Sequence, residues 1–569
     1  MSFVKKLKEH KVFQTLALYL GSGWVIIEAL AFLANKYGWP QNVIDVIILS
    51  VFFGLPIVLV YTWFHGTHEN RKIGKIEIGL YLLIIIASIP FIFNSITGEN
   101  QSLPEQELVD SSDPSIAILP MNILSEDKSN QYFADGITEA IRDHLGKIGT
   151  LKVTSRNSVE QYRETTKSSP QIAREIGVKH ILTGSFQKYD DKIRVNVQLI
   201  DAVSDKQIWT EVFDRLYNDV LALQSDIALK IASQLNLRLS SQIEERINRK
   251  STDNIDAYNF YLKGQHTIKT AKGLDIELKT AIDYYQQAID LEPNFALAYA
   301  GMANAYVYQT YWGRTASKDI IPLATSTVMK AMEIDNEIGE CYEVLGMISY
   351  FKLDFTQAEK YFKRAIELSP NFADSYFWLS NTFNIMGNLN QSLAFMDKAT
   401  ELDPVSTFYP INKAYILTSN REFELAENLL LDVLKNNNDS HALWALGNNY
   451  ANRGKYDMAI ETLQKRPDGS KNNWILGYCY GKTGQLDKAY EVIDYLLEKN
   501  KESYVPPYMI GIVYMGVGKT EEALDWFEKG LAEGPIFSYI TEVRGRTKLS
   551  ELEDNPRFKE ILKKFGIER

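Results

Sequence analysis

Three apolar runs occupy the first hundred positions, and beyond them the hydrophobic pattern becomes alternating and then helical. Residues Val12 to Ala34 and Val43 to Phe64 are almost wholly apolar, and Ile78 to Phe93 continues the same way. Runs of about 20 such residues match the hydrocarbon thickness of a bilayer. The pattern therefore predicts a membrane domain, 1–95, with three transmembrane helices at about 12–34, 43–64 and 78–93. A cleaved signal peptide is the rival for the first run, but the run is long, no small-residue cleavage site follows it, and a second run comes soon after. Lys5, Lys6, Lys8 and Lys11 precede the first run, and Arg71, Lys72 and Lys75 separate the second from the third. The positive-inside rule then puts both basic segments in the cytoplasm and everything after Phe93 on the other side, unless the third run does not cross. Glu28 and Asp45 lie inside the runs. Proton or ion handling is one reading of them, and a helix contact for Glu28 with an interfacial position for Asp45 is the preferred one.

From 96 to 113 the chain is polar and acidic, with Pro104 in it, as a linker is. Strand periodicity follows at Ser115–Pro120, a helical pattern at Gln131–Lys147, a strand at Leu151–Ser155 and a short helix at Pro170–Gly177. His180–Lys188 and Lys192–Asp201 read as a hairpin turning through Tyr189, Asp190 and Asp191, with Gln207–Phe213 as a third strand and Leu216–Leu237 as an amphipathic helix. This order predicts an α/β domain over 114–248, one sheet with helices packed on a face.

The stretches Ser115-Ile-Ala-Ile-Leu-Pro120, Tyr132-Phe-Ala-Asp-Gly-Ile-Thr-Glu139, Gly184-Ser185 and Gln198-Leu-Ile-Asp201 resemble the TolB-like amino-terminal domain of bacterial envelope proteins over roughly residues 114–238. The resemblance implies a binding module in the envelope or in signalling proteins, and a bacterial cell in which the far side of the membrane is the periplasm. Proteins of similar layout sometimes carry a nucleotide cyclase or a winged-helix domain as well, and no stretch of this sequence is left over for either. Asp135, Thr138 and Glu139 make a weak acidic cluster near a helix start, where carboxylates favour the dipole, so a structural role is expected of them. Gly184-Ser185 lacks the neighbours of a phosphate loop and reads as a strand bulge.

Residues 254–535 repeat themselves. Gly447, Tyr450 and Ala459 recur as Gly477, Tyr480 and Ala489 and as Gly511, Tyr514 and Ala523. Ala281, Tyr285, Ala288 and Pro293 recur as Ala358, Phe362, Ala365 and Pro370, again as Ser392, Met396, Ala399 and Pro404, and as Ala523, Phe527, Gly530 and Pro535. Small residues where two helices cross, a large side chain filling the adjacent hole and a proline after the second helix identify about eight tetratricopeptide repeats. Longer connections interrupt the first two, around Ala271–Lys279 and Trp312–Ile320. Residues 536–569 read as a helical cap on the last repeat. The first helix of each pair lines a concave groove, and Asn304, Asn381 and Asn448 share one position in it, where asparagine in peptide-binding relatives clamps a ligand backbone; asparagine is also the common residue there without any ligand. Phe377, Asn384, Trp444 and Asn452 fall on the same face by spacing.

Composition narrows the function classes. A chain of 569 residues needs several packed units. Its net charge of -11 argues against nucleic acid as a partner. Cys341 and Cys479 stand alone and read as small buried hydrophobes, and seven scattered histidines give a metal site little to draw on. No hydrolase constellation is visible, so no enzyme activity and no cofactor are expected. The expected fold class is multidomain: three transmembrane helices, a small α/β TolB-like domain and an all-α tetratricopeptide superhelix. The expected function is a membrane-anchored scaffold, in the bacterial inner membrane with its other domains in the periplasm, recruiting a protein or peptide through the repeat groove. The alternative is a receptor or regulatory component sensing a ligand through the TolB-like domain. Oligomeric state is not legible.

Overall fold

The computed structural model describes residues 41–65, 74–81, 114–124, 131–270, 275–436, 438–466, 473–545 and 548–566, with isolated positions up to 22 and at 84. The chain divides into two units, Met1–Asp110 and Ser111–Arg569. In the first, α1 spans Gln41–His65 and contains Pro56. The imidazole of His65 sits 2.7 Å from the carboxylate of Glu77, which also accepts from the Tyr81 hydroxyl at 3.0 Å.

The predicted membrane domain needs correction. Among the described residues no helix is long and apolar enough to cross a membrane. The runs 12–34 and 78–93 lie largely outside the described residues, and so does Glu28. A span requires about 20 residues of helix that are apolar around the whole circumference, which a run of apolar letters does not guarantee. The three transmembrane helices, the multi-pass inner-membrane location with a periplasmic side and the description as a membrane protein all rested on those runs, and all are set aside. The fold is a helical repeat superhelix with a small sheet region.

In the second unit, strands β1 (Ser115–Ile118), β2 (Asn122–Ile123), β3 (Lys152–Val153), β4 (His180–Tyr189), β5 (Lys192–Asp201) and β6 (Lys206–Leu216) form one sheet. Its order is β3-β1-β4-β5-β6, with β2 beside β4; β1 runs parallel to β3 and β4, and the last three strands are an antiparallel meander. All four residues of β1 are buried, as a parallel strand covered on both faces requires. On one face α2 (Gln131–Gly146) and, after the short helices α3 (Arg156–Glu160) and α4 (Ser169–Ile176), α5 (Val220–Gln234) bury Phe133, Ile137, Ile227 and Ile231 against Ile116, Val195 and Val197. On the other, α3 and α4 cover Ala117 and Ile181 with Val159, Ile172 and Ile176. The β4–β5 turn is tighter than expected, because Tyr189 is still paired and Asp190 alone takes the left-handed conformation at φ 51°. Gly184 is not at a bulge: it pairs in register with Val197, and a Cβ there would lie 2.4 Å from the Asn196 carbonyl oxygen. The register shift falls instead between Leu199 and Ile200 of β5.

After α6 (Ser241–Asn248) the chain enters helical hairpins: α7 (Ile255–Thr270) with α8 (Asp275–Leu291), α9 (Ala296–Tyr311) with α10 (Ser317–Ile334), α11 (Gly339–Phe351) with α12 (Phe355–Leu368), and α13 (Ala373–Ile385) with α14 (Leu389–Leu402). There follow α15 (Phe408–Ser419) with α16 (Phe423–Asn436), α17 (Ser440–Asn452) with α18 (Tyr456–Gln464), α19 (Trp474–Lys482) with α20 (Leu486–Glu502), and α21 (Pro507–Gly516) with α22 (Thr520–Ala532). The repeating small residues do the work their spacing implies. A Cβ on Gly346 would stand 2.5 Å from the Phe362 ring, and one on Gly511 would stand 2.6 Å from the Phe527 ring. Cys341 and Cys479 are buried and unpaired in disulfides.

The α/β layer and the first repeat share one apolar core, in which Phe133 and Ile137 are continuous with Tyr258, Leu262 and Tyr285. Further on, Asn371 in the α12–α13 turn donates to the carbonyls of Gly146 (3.1 Å) and Leu151 (2.9 Å) and accepts from the Val153 amide (2.9 Å). Ser158 bonds the buried carboxylate of Asp403, and the Ser155 amide donates to Leu402 O at 3.0 Å. Arg249 pairs with Asp335 (3.0 Å) and Glu337 (2.8 Å). The contacts follow the inter-repeat turns, so the α/β layer packs along one edge of the superhelix.

Candidate functional site

The residues expected to line the groove, Asn304 excepted, are brought to one inner surface by the first helices α13 and α17, and much of that surface is occupied by the chain's own C-terminal segment. After Pro535 the chain does not simply cap the last repeat. Helix α23 (Phe537–Gly545) turns inward and packs against α13 and α15. Both helices also rest on the last repeat: Tyr539 of α23 stacks on Tyr508 of α21 at 5.1 Å, and Arg557 of α24 (Pro556–Lys564) pairs with Glu521, Asp525 and Glu528 of α22.

The inward turn is anchored across the superhelix. The Ser317 hydroxyl donates to Pro535 O at 2.9 Å and the Lys318 amide to Glu533 O at 3.0 Å, while Gly534 takes φ +86°. These partners lie at the end of the long α9–α10 connection. Its extra residues therefore meet the last repeat, and the array returns upon itself.

Inside, Phe537 enters a cluster of rings. Trp378, 1% exposed, gathers Tyr311, Tyr350, Phe362 and Phe377 at centroid distances of 5.4, 5.5, 6.2 and 5.3 Å, and Phe537 adds to it at 5.6 Å. Arg544 then reaches along α13, donating from Nε to the Asn384 carbonyl at 2.9 Å and from its terminal nitrogen to Asn420 Oδ1 at 3.4 Å. Asn420 in turn donates to Asn384 Oδ1 at 2.7 Å. The ammonium of Lys548 is fully buried. It pairs with Glu542 at 2.8 Å, donates to Asn452 Oδ1 at 3.3 Å and lies 5.8 Å from the centre of the Trp474 ring. A ladder of rings, Tyr415, Trp444, Trp474, Tyr508 and Tyr539, crosses four first helices into α23 at spacings of 5.1 to 5.9 Å.

Of the seven sequence-derived positions, Phe377, Asn384 and Asn452 touch this segment directly. Trp444 joins the ring ladder without touching it. Asn381 donates to the Phe377 carbonyl of its own helix at 2.8 Å, and Asn448 receives Asn452 Nδ2 at 3.2 Å. Asn304 stands apart, facing a cavity beside α2, its Oδ1 buried without a partner among the described residues. Sequence reasoning missed Trp474, although it precedes Gly477 by the same three positions that separate Trp444 from Gly447. It also missed Asn420, which lies outside the repeat signature. The acidic pair is structural in its contacts: Asp135 binds Arg156 (3.2 Å) and Arg163 (2.9 Å), and Glu139 binds Arg142 and Lys269. Those two cations hold the Glu139 carboxyl down at about 2 against the opposing effect of burial.

These features define a class, a tetratricopeptide repeat superhelix carrying a TolB amino-terminal domain. Residues 109–208 match the TolB amino-terminal domain, and 339–372 and 361–394 match the tetratricopeptide repeat. The chain is 27% identical over 249 residues to the putative adenylate cyclase 3 of Rhizobium meliloti (strain 1021), covering 43% of this chain and 42% of that protein. It is 25% identical over 164 residues to the transcriptional regulator HilA of Salmonella paratyphi A, covering 29% of each. The chain thus spans less than half the length of these curated relatives. Among solved structures, yeast Tom70 is similar with a TM-score of 0.35 and 16% identity, over 61% of this chain and 82% of that one.

Proposed function

We propose that this chain is a protein-interaction scaffold whose groove is held by an internal peptide, of which residues 535–545 and 548–552 are described, and serves a partner peptide when that segment leaves. One observation carries the reading: Arg544 and Lys548 engage Asn384, Asn420 and Asn452 from inside the groove as the basic side chains of a bound peptide would. Peptide grooves of this kind take their specificity from a few buried anchors, here an aromatic residue and two cations. In this reading the chain performs no reaction of its own. Neither the cyclase nor the regulator named among its relatives lends it an activity, because each match covers less than half of that protein.

The test uses a synthetic peptide of residues 535–552 added to the full chain. Arg544→Ala/Lys548→Met is expected to loosen the internal segment and let the peptide bind in trans, while the wild-type chain excludes it. If both proteins exclude the peptide, the segment is a fixed structural plug and the scaffold reading fails at this groove. A second reading, ligand sensing at the TolB-like domain, is favoured by the cavity beside α2.

A further inference from the structure

That cavity measures about 840 Å³ and lies between α2 and the inner ends of α7, α9, α11 and α13. Its size falls in the range of small-molecule pockets, about 300 to 1,000 Å³. Its charges are unevenly satisfied. Most basic groups around it hold a partner, Arg142 and Lys269 with Glu139, Arg156 with Asp135, Arg249 with Asp335 and Glu337, and Lys147 with the Arg246 carbonyl, while Arg142 Nε and His266 Nδ1 are buried without a hydrogen bond among the described residues. The acids facing inward are less engaged. Among the described residues Asp143 on α2 and Glu340 on α11 line the cavity without a hydrogen bond or ion pair, and Asp374 on α13 receives the Tyr409 hydroxyl alone, at 2.9 Å. Asp143 is open to the cavity's solvent but ringed by protein, which with repulsion from Glu139 and Glu340 pushes its carboxyl up to about 7; burial raises that of the half-buried Asp374 as well.

Two neutral groups point the same way. Tyr285 is 2% exposed and lines the cavity, yet its hydroxyl has no partner among the described residues. Its ring is wedged between Gly264 and Gly301, where a Cβ would stand 2.7 and 2.6 Å away, so the hydroxyl is fixed in place. The Oδ1 of Asn304 is likewise a buried acceptor without a donor. Buried acceptors left unpaired carry a free-energy cost that a donor-rich ligand removes.

We propose that the cavity binds a small organic cation, an amine or guanidinium compound, whose N–H donors meet Asp143, Glu340 and Asp374 and the oxygens of Tyr285 and Asn304. Among the described residues no group of three or more His, Cys, Asp or Glu is gathered tightly enough for a metal ion, so the cation is a molecule that spans the carboxylates. Because Asp143 belongs to the TolB-like layer and the other two to the repeats, the bound cation ties one to the other.

Calorimetric titration of the full chain at pH 8, where Asp143 is ionised, tests this with 1,5-diaminopentane as the probe and 1,5-pentanediol and glutarate as neutral and anionic counterparts. The diamine is expected to bind saturably, and the other two are not. Asp143→Asn and Glu340→Gln are each expected to weaken diamine binding by about tenfold or more, the loss of one charged partner. Both substitutions keep side-chain shape and remove a repelling charge, so a melting temperature equal to or above wild type shows that the fold is intact. Absence of saturable binding by the diamine at millimolar concentration, preference for glutarate, or equal binding by the double variant would each overturn the proposal.

Discussion

Replacing Lys548 by methionine removes the cation that pairs with Glu542 in the groove. The Lys548 side chain is 0% exposed and that of Glu542 10%, so the pair is far from the solvent-screened regime in which ion pairs contribute little. Removing one member of such a pair strands the other's charge, at a cost of about 3 to 5 kcal/mol. The molecule has a cheaper response than global unfolding, which is to release residues 535–552 and return Glu542 to water. The cost therefore falls on docking of that segment. Native-state hydrogen exchange read by mass spectrometry reports it directly: a loss of about 3 kcal/mol accelerates exchange of the segment's amides on the order of a hundredfold. Lys548→Met/Glu542→Gln buries no charge and is expected to recover most of the protection, since apolar or neutral replacements of buried pairs are often close to neutral. Equal protection in wild type and the single variant, or a double variant as open as the single, would refute the argument that a buried charge pair holds the segment in place.

Three further outcomes follow from particular contacts. Asn371→Ala deletes three hydrogen bonds to the α/β layer, about 1 kcal/mol each, and should raise exchange at the Val153 amide; Asn371→Asp should be worse, because a second carboxylate oxygen then faces the Gly146 and Leu151 carbonyls. Glu343 is 1% exposed, and burial followed by the nearby Asp374 raises its carboxyl well above the ordinary range. Between the unfolded value of about 4.3 and the raised folded value the native state holds the extra proton, so this group's contribution to stability is lost as pH rises; Glu343→Gln should flatten that part of a thermal-stability profile against pH. Gly516→Ala places a Cβ 2.6 Å from the Tyr478 carbonyl oxygen, backbone that has little room to yield, and should lower the melting temperature through a loss of about 1 to 3 kcal/mol.

Periodicity carries much of this molecule. The pairing of β4 with β5 follows from two alternating runs around an acidic turn, and the hairpins follow from small residues at fixed offsets, because both patterns are local and repeat with the geometry of strand and helix. The face on which Phe377, Asn384 and Asn452 lie is legible for the same reason, since one turn of helix after another presents the same positions. Hydropathy misled at the amino terminus, where runs of apolar letters stand for no qualifying helix among the described residues. What occupies the groove was decided elsewhere. Arg544 lies 160 residues from Asn384, and Ser317 lies 218 from Pro535. No local period encodes such meetings; they depend on how small rotations between neighbouring hairpins accumulate until the last repeat meets the second. The cavity arises in the same way. Asp143, Glu340 and Asp374 are ordinary acids in their own helices, and only the packing of the α/β layer along the edge of the superhelix gathers them around one cavity.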